Sequence, residues 1–298
     1  ESTQKDICME YVKFSIHSNT RQKSQQILHK NRSIYTNERI DILSAQKVTF
    51  SDVWKYYRSK NAKNIKPSKP LPMANKDFIS LDSELFTKDF VVWLGHSSLY
   101  ISSNGVNILI DPVFNTYASP LPFINRAFKA HKTYTSKDFP PIDIVLITHS
   151  HYDHLDKKSI KSLAKVAQLF VVPENTAPLL QKYGVEAKKI IELNWWEGIE
   201  LKNENLTRLK ITAAPSLHST KRLGYKTNEM LWLSYVLEMG EKKVFLSGDG
   251  GYDERFKEIG SYFGSFDLVL LENGQYNQAW KYSHSFPEQT IQAAQELR

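Results

Sequence analysis

The sequence predicts an α+β fold, and three observations carry the prediction. Strand-like stretches cluster over residues 89–110 before any clear helix, and Asn104-Gly105 between two of them is a tight-hairpin signal. From residue 142 onward, short apolar runs alternate with helical patterns. No Gly-x-Gly-x-x-Gly follows the first strand, which argues against a dinucleotide-binding opening.

Residues 1–88 carry the weakest pattern. Residues 15–40 are polar, and a short helix within 41–60 would use Ile42, Leu43, Val48, Val53 and Trp54. Pro67, Pro70 and Pro72 predict an extended connector. The expectation is an N-terminal extension over 1–88, packed on a main domain over 89–298. That domain opens with strands over 90–94, 99–101 and 106–110. Residues 112–141 form a long aromatic stretch in which Phe114, Tyr117, Phe123, Phe128 and Tyr134 either shape a pocket or cover the core. A strand over 142–148 follows, then a helix over 157–167 with Asp156 as N-cap and Ile160, Leu163, Ala164 and Ala167 as its apolar face. Strands over 169–172, 189–192, 207–213, 232–237, 243–247 and 266–271 come next. Helices over 176–183 and 252–259 fall among them, and a last one opens at Pro287 with Glu288 in its first turn.

A chain of 298 residues suits one large domain or two small ones. It has no 18-residue apolar run of the kind that spans a bilayer. Cys8 is the single cysteine, which rules out an intrachain disulfide and a cysteine-based zinc cluster and fits a reducing compartment. Because the first residue is Glu1, the expectation is a processed chain from which any signal peptide is gone. A cytoplasmic location is favoured, with envelope-associated or exported placement open. Net charge is +7, part of it in Lys55 to Lys69, where Tyr56, Tyr57 and Arg58 mix aromatics with base. No nucleic-acid motif accompanies that patch, so nucleic acid is disfavoured, and anionic substrates or a membrane surface suit the charge better.

The chemistry concentrates where the 142–148 strand ends. His149, His151, Asp153 and His154 follow it within six residues. Imidazole nitrogen and carboxylate oxygen are the usual ligands of zinc and related metals, and alternation along an extended chain turns His149 and His151 to one side. Three later strands end alike, leading to His218, to Asp249 between Gly248 and Gly250, and to Glu272 with His284 beyond it. His218 and Asp249 are therefore further metal-ligand candidates.

These motifs resemble the metallo-β-lactamase fold superfamily. The stretches Trp93 to Ser98, Leu109 to Phe114, Thr148 to Asp156, Ala214 to His218 with Arg222, Ser247 to Tyr252 and His284 to Glu288 occur in the order of one branch. That branch is similar to the N-acyl-phosphatidylethanolamine-hydrolysing phospholipase D-like proteins, with ascorbate-6-phosphate lactonase-like enzymes as cousins. The resemblance covers residues 65–298 and implies an αββα four-layer sandwich with two divalent metal ions, usually zinc. It places His149, His151 and His218 on the first ion, Asp153 and His154 on the second, and Asp249 between them. It puts His284 at the cleft as a substrate-facing or proton-transferring residue, and makes His96 and Asp111 cleft-side supports. The family's last ligand is a histidine beyond the helix at Pro287, and this sequence ends at Arg298. The expectation is a domain truncated at its C-terminus, the alternative being a second site one ligand short.

The implied activity is metal-assisted hydrolysis of a small-molecule or lipid phosphodiester, with Asp153 orienting the attacking water and His284 serving the leaving group. A lactone or other ester is the alternative substrate. A serine hydrolase built on Gly95 to Leu99 lacks the final glycine of its motif, and its serines precede a strand instead of a helix. A non-catalytic binding protein on the same fold is the remaining alternative. Oligomeric state is not legible.

Overall fold

The computed structural model describes residues 10–18, 21–29, 32–37, 49, 51, 54, 58, 67–73, 88–121, 124–130, 133–203, 206–274 and 276–298. Most of the helix expected within 41–60, most of the basic stretch 55–69, and Phe123 lie outside them.

Two six-stranded sheets form the body. The first contains β4 (Phe90–Gly95), β5 (Ser98–Ser103), β6 (Val106–Ile110), β7 (Ile144–Leu146), β8 (Leu169–Pro173) and β9 (Ile190–Leu193), side by side in chain order. β4 to β6 are antiparallel, and Asn104 and Gly105 both take positive φ in the turn that joins β5 to β6. From β6 to β9 the pairing is parallel. Parallel strands need crossovers: α1 (Lys157–Leu163) joins β7 to β8, and α2 (Ala177–Lys182) joins β8 to β9. Asp156 caps α1, its carboxylate accepting from Ser159 N at 2.9 Å.

The second sheet runs β1 (Glu10–Ser15), β10 (Glu197–Asn203), β11 (Leu206–Ala214), β12 (Ser234–Met239), β13 (Lys242–Leu246) and β14 (Leu268–Leu270). It is antiparallel except for β13–β14, which α3 (Arg255–Phe263) connects. A small hairpin of β2 (Gln26–His29) and β3 (Arg32–Tyr35) stands apart, and α4 (Pro287–Leu297) closes the chain.

The alternation of side chains builds the layers. Ile108, Ile110, Ile144, Leu146 and Val171 join the core shared with the second sheet, while Leu109, Val145, Ile147, Phe170 and Val172 pack with Ile160, Leu163, Leu179 and Leu180 of α1 and α2. Both faces of β6–β8 are thus covered, which explains why β7 and β8 are unbroken apolar runs in the sequence and β6 is broken only at Asn107. Tyr235 of β12 crosses between the sheets, its hydroxyl donating to Ile147 O at 2.8 Å. On the far side of the second sheet, Phe245 meets Phe256 of α3 at 6.1 Å between ring centroids. The order helix, sheet, sheet, helix is the four-layer sandwich expected.

Several boundaries shift. β7 is confined to 144–146, since Thr148 turns its backbone N–H to the Asp111 carboxylate at 2.8 Å instead of to a neighbouring strand. α1 ends at Leu163 with Ala164 as its cap, and α3 begins at Arg255, three residues after the expected start. β1 and β10 escape the sequence reading: β1 falls in the N-terminal stretch of weakest pattern with most of its residues exposed, and β10 has only Ile199 and Leu201 as its buried apolar pair. In the 112–141 stretch, Phe114 stacks on Phe139 at 5.6 Å, and Tyr134 is buried against the same ring, so both cover the core. Phe128 is exposed. Among the described residues, no helix is long and apolar enough to cross a membrane.

Candidate metal centre

β6, β7, β11, β13 and β14 all end on one edge of the sandwich, and the segments that follow carry the polar side chains. Asp111 follows β6, His149 to His154 follow β7, His218 follows β11, Asp249 follows β13, and Glu272 and His284 follow β14. His96 comes from the two-residue turn between β4 and β5, where it holds φ +47° after a break in the strand register.

The first cluster is His149, His151 and His218. His149 Nε2 lies 2.9 Å from His151 Nδ1, and His218 Nε2 lies 3.3 Å from that same nitrogen. The other ring nitrogens fix which atoms carry hydrogen. His218 Nδ1 faces Ser283 O at 3.1 Å, an acceptor, so it donates and leaves Nε2 with a lone pair. The Thr148 hydroxyl donates to Asp111 Oδ2 at 2.6 Å and accepts from His149 Nδ1 at 3.0 Å, so His149 Nε2 also presents a lone pair. His151 Nδ1 can offer at most one hydrogen to the two, and both sit within a buried pocket. Burial pushes all three imidazoles toward the neutral form, His151 down to about 4, and the crowding of rings adds to it for His149 and His218. Three neutral imidazoles with more lone pairs than hydrogens form a donor set that a cation satisfies.

The second cluster adjoins it. His154 is fully buried; its Nδ1 faces Asp111 Oδ2 at 2.7 Å, and its Nε2 faces Asp249 Oδ2 at 3.1 Å and Ser97 Oγ at 3.2 Å. Burial works against charge on this ring, but the Asp249 and Asp111 carboxylates outweigh it and hold its pKa well above the ordinary value. Asp249 is held well below the usual carboxylate range, burial being outweighed chiefly by His154. Asp153 accepts at 3.0 Å from His96 Nε2, and that bond with the nearby His154 overcomes its burial and keeps its carboxyl well below the ordinary range. His96, Asp153 and His154 form one metal-capable group, and His149, His154 and Asp249 another, with ligand atoms in each within 4.8 Å of one another. Asp249 therefore stands between the two clusters.

Every residue expected at the site is on this one edge. The sequence reading assigned no role to Glu272, although it ends a strand as Asp249 does. Its Oε2 lies 3.2 Å from His284 Nδ1, and its other oxygen accepts from Ser285 N. Glu272 rises above the ordinary carboxyl value through burial, and His284 rises against its own burial because Glu272 and Asp249 face it. Thr148 and Ser283 orient rings through single bonds and leave no trace in spacing. The serine of the rejected hydrolase motif, Ser97, sits in a hairpin turn between antiparallel strands, without the strand-to-helix elbow of that class.

Comparison with known proteins agrees with this architecture. A match to the Beta-lactamase superfamily domain spans residues 106–298. An uncharacterised protein of Mycobacterium tuberculosis is 30% identical over 229 residues, 76% of this chain and 59% of that protein. The N-acyl-phosphatidylethanolamine-hydrolyzing phospholipase D 1 of Caenorhabditis elegans is 29% identical over 217 residues, 70% of this chain and 61% of that protein. The chain thus spans about six-tenths of the length of these relatives. Among solved structures, the isothiocyanate hydrolase from Delia radicum gut bacteria superposes with a TM-score of 0.54 at 19% identity, over 70% of this chain and 80% of that one, a likeness of fold. From its sandwich, its strand-end histidines and the span of the family match, the chain belongs to the beta-lactamase superfamily.

Proposed function

We propose that this chain is a metal-dependent hydrolase acting on a phosphodiester, with a phospholipid as the favoured substrate. The observation that carries the reading is the convergence of His149 Nε2, His151 Nδ1 and His218 Nε2 at one part-buried point, with His149 and His218 themselves buried. His149, His151 and His218 would hold one divalent cation, and Asp153 and His154 a second, with Asp249 shared; zinc suits nitrogen and carboxylate donors of this kind. Bound there, such ions supply Lewis-acid activation, bringing the ionisation of water toward neutral pH and countering charge at the attacked centre.

The chain's own residues do the rest. Asp153, steadied by His96, accepts a hydrogen bond from the attacking water and orients it. His284, steadied through Nδ1 by Glu272, passes a proton to the leaving oxygen from its other ring nitrogen. The substrate class rests on the phospholipase D-named relative and on the net charge of +7, which favours an anionic substrate.

The test combines metal analysis with a substrate panel. The purified chain should carry about two zinc ions, hydrolyse a phosphodiester ahead of lactones and carboxylic esters, lose that activity to a chelator and regain it with zinc. A serine-directed reagent should leave it unaffected. His151→Ala should abolish both metal binding and hydrolysis, and activity retained in that variant would sink the assignment.

A further inference from the structure

The loop that carries His218 is gripped by a residue from the far end of the chain. Asn37 follows β3, outside the region matched to the family, and its side chain is buried. Its amide nitrogen donates to His218 O at 2.8 Å, and its amide oxygen accepts from His218 N at 3.2 Å, across 181 positions of sequence. Both backbone polar groups of His218 are thereby taken up by one side chain, as a neighbouring strand would take them. A buried backbone N–H and C=O without such a partner would be costly.

Asn37 is itself held. Arg255 of α3 is buried and donates to Asn37 O through one terminal nitrogen, and to Ser216 O at 2.9 Å through the other. One guanidinium therefore ties Asn37 to the segment two residues before His218. On the other side of the ring, His218 Nδ1 bonds Ser283 O at 3.1 Å. The backbone of His218 is set by Asn37 and its ring rotation by Ser283, which together aim Nε2 into the histidine pocket.

We infer that Asn37 is a positioning residue for the metal centre: the N-terminal segment clamps the backbone of His218 and so sets the affinity of the site formed with His149 and His151. The inference rests on the reading of those three histidines as metal ligands. Partners that orient a ligand usually change metal affinity by tenfold or more when removed.

The control comes from the same segment. Tyr35, two residues earlier, anchors the segment elsewhere, its hydroxyl donating to Glu174 Oε2 at 2.9 Å. Tyr35→Phe loosens the segment without touching His218. The experiment measures zinc affinity of the full chain by competition with a chromophoric chelator, and the visible spectrum after loading with cobalt(II), for wild type, N37A and Y35F. The expected result is a roughly tenfold or greater loss of affinity for one ion and an altered cobalt spectrum in N37A, with Y35F matching wild type in both, even if both variants melt at lower temperature. Wild-type affinity and spectrum in a folded N37A overturn the inference, as does an equal loss in Y35F. If N37A does not fold, Asn37→Asp keeps the size and one acceptor while removing the donor, and wild-type zinc affinity in it overturns the inference equally. A wild-type chain that binds no zinc overturns both the metal reading and this one, whereas zinc bound equally by wild type and N37A overturns this one alone.

Discussion

Asp111 and His154 form a buried pair, with Oδ2 2.7 Å from Nδ1 and both side chains closed off from solvent. Asp111 also receives the backbone N–H of Thr148 at 2.8 Å and its hydroxyl at 2.6 Å. One carboxylate thus fixes the end of β7 and the ring that follows it, from a backbone with φ +42° that few residue types tolerate. Asp111→Asn keeps the shape, and asparagine accepts such a φ, but the charge facing His154 is gone. The expected outcome is a drop in bound zinc from about two per chain to about one, with a stability loss of roughly 1–3 kcal/mol for the weakened buried bonds. Elemental analysis and denaturant melts check the two parts.

The metal-free chain should weaken on acidification. His149, His151 and His218 have folded-state values below that of an unfolded histidine, so below about pH 6.5 the unfolded chain takes up protons that the folded one refuses. Stability then falls as pH drops, and for His151 the loss is complete only near pH 4, roughly 3 kcal/mol from that ring. His154 and His284 are shifted the other way; their contribution is fully present below pH 6.5 and is lost as pH rises through their folded values. Below pH 6.5 the three depressed histidines decide. Melting temperatures of chelator-treated chain between pH 7 and 5 should fall steadily, and a flat profile would contradict the neutral pocket.

Glu272 should matter to rate and not to metal content. Glu272→Gln retains a group near His284 Nδ1 but removes the charge facing it. Hydrolysis is expected to slow by roughly 10- to 100-fold, less than the roughly 100- to 10,000-fold of a general acid–base group itself because Glu272 acts through His284, with zinc stoichiometry unchanged. The loss should fall on kcat more than on KM. A variant that loses metal along with rate would make Glu272 a ligand instead.

Gly260 is a packing test remote from the chemistry. A Cβ built there would run into the backbone of Glu296 and Leu297, where α3 and α4 cross. Gly260→Ala should force the helices apart and cost about 1–3 kcal/mol, as overpacking does. Thermal melts should show the loss, and zinc content of the folded fraction should stay at the wild-type value.

The centre was legible where its chemistry is local. His149, His151, Asp153 and His154 are packed into six residues, and Asp249 is marked by glycines on either side. His218 was found because its strand ends as the others do. What spacing could not convey is the bond that holds each ligand, since the Thr148 hydroxyl beside His149 is an ordinary neighbour in sequence, and Ser283 and Asn37 reach the ring and the backbone of His218 across the fold. The core strands β6, β7 and β8 were visible as apolar runs because both their faces are covered. β10 was missed because its pattern of Glu197, Glu200 and Lys202 around Ile199 and Leu201 is that of a polar loop until a partner strand lies beside it. Asp111 and Glu272 look in the sequence like ordinary strand ends, and become distinctive only when a histidine from another loop arrives.

The pairing of β1 with β10 sets an order of assembly. Phe14 lies opposite Gly198, its ring occupying the space a side chain would need, so the register is keyed at one point. Yet Glu10–Ser15 leaves the ribosome well before Glu197–Asn203 exists, and chain closure across so wide a gap is slow. Among the described strands, the earliest made is thus among the last to dock. Most of β1 remains exposed even after docking, Tyr11 and Val12 included, and the charges of Glu10 and Lys13 on the same strand oppose its pairing with other chains.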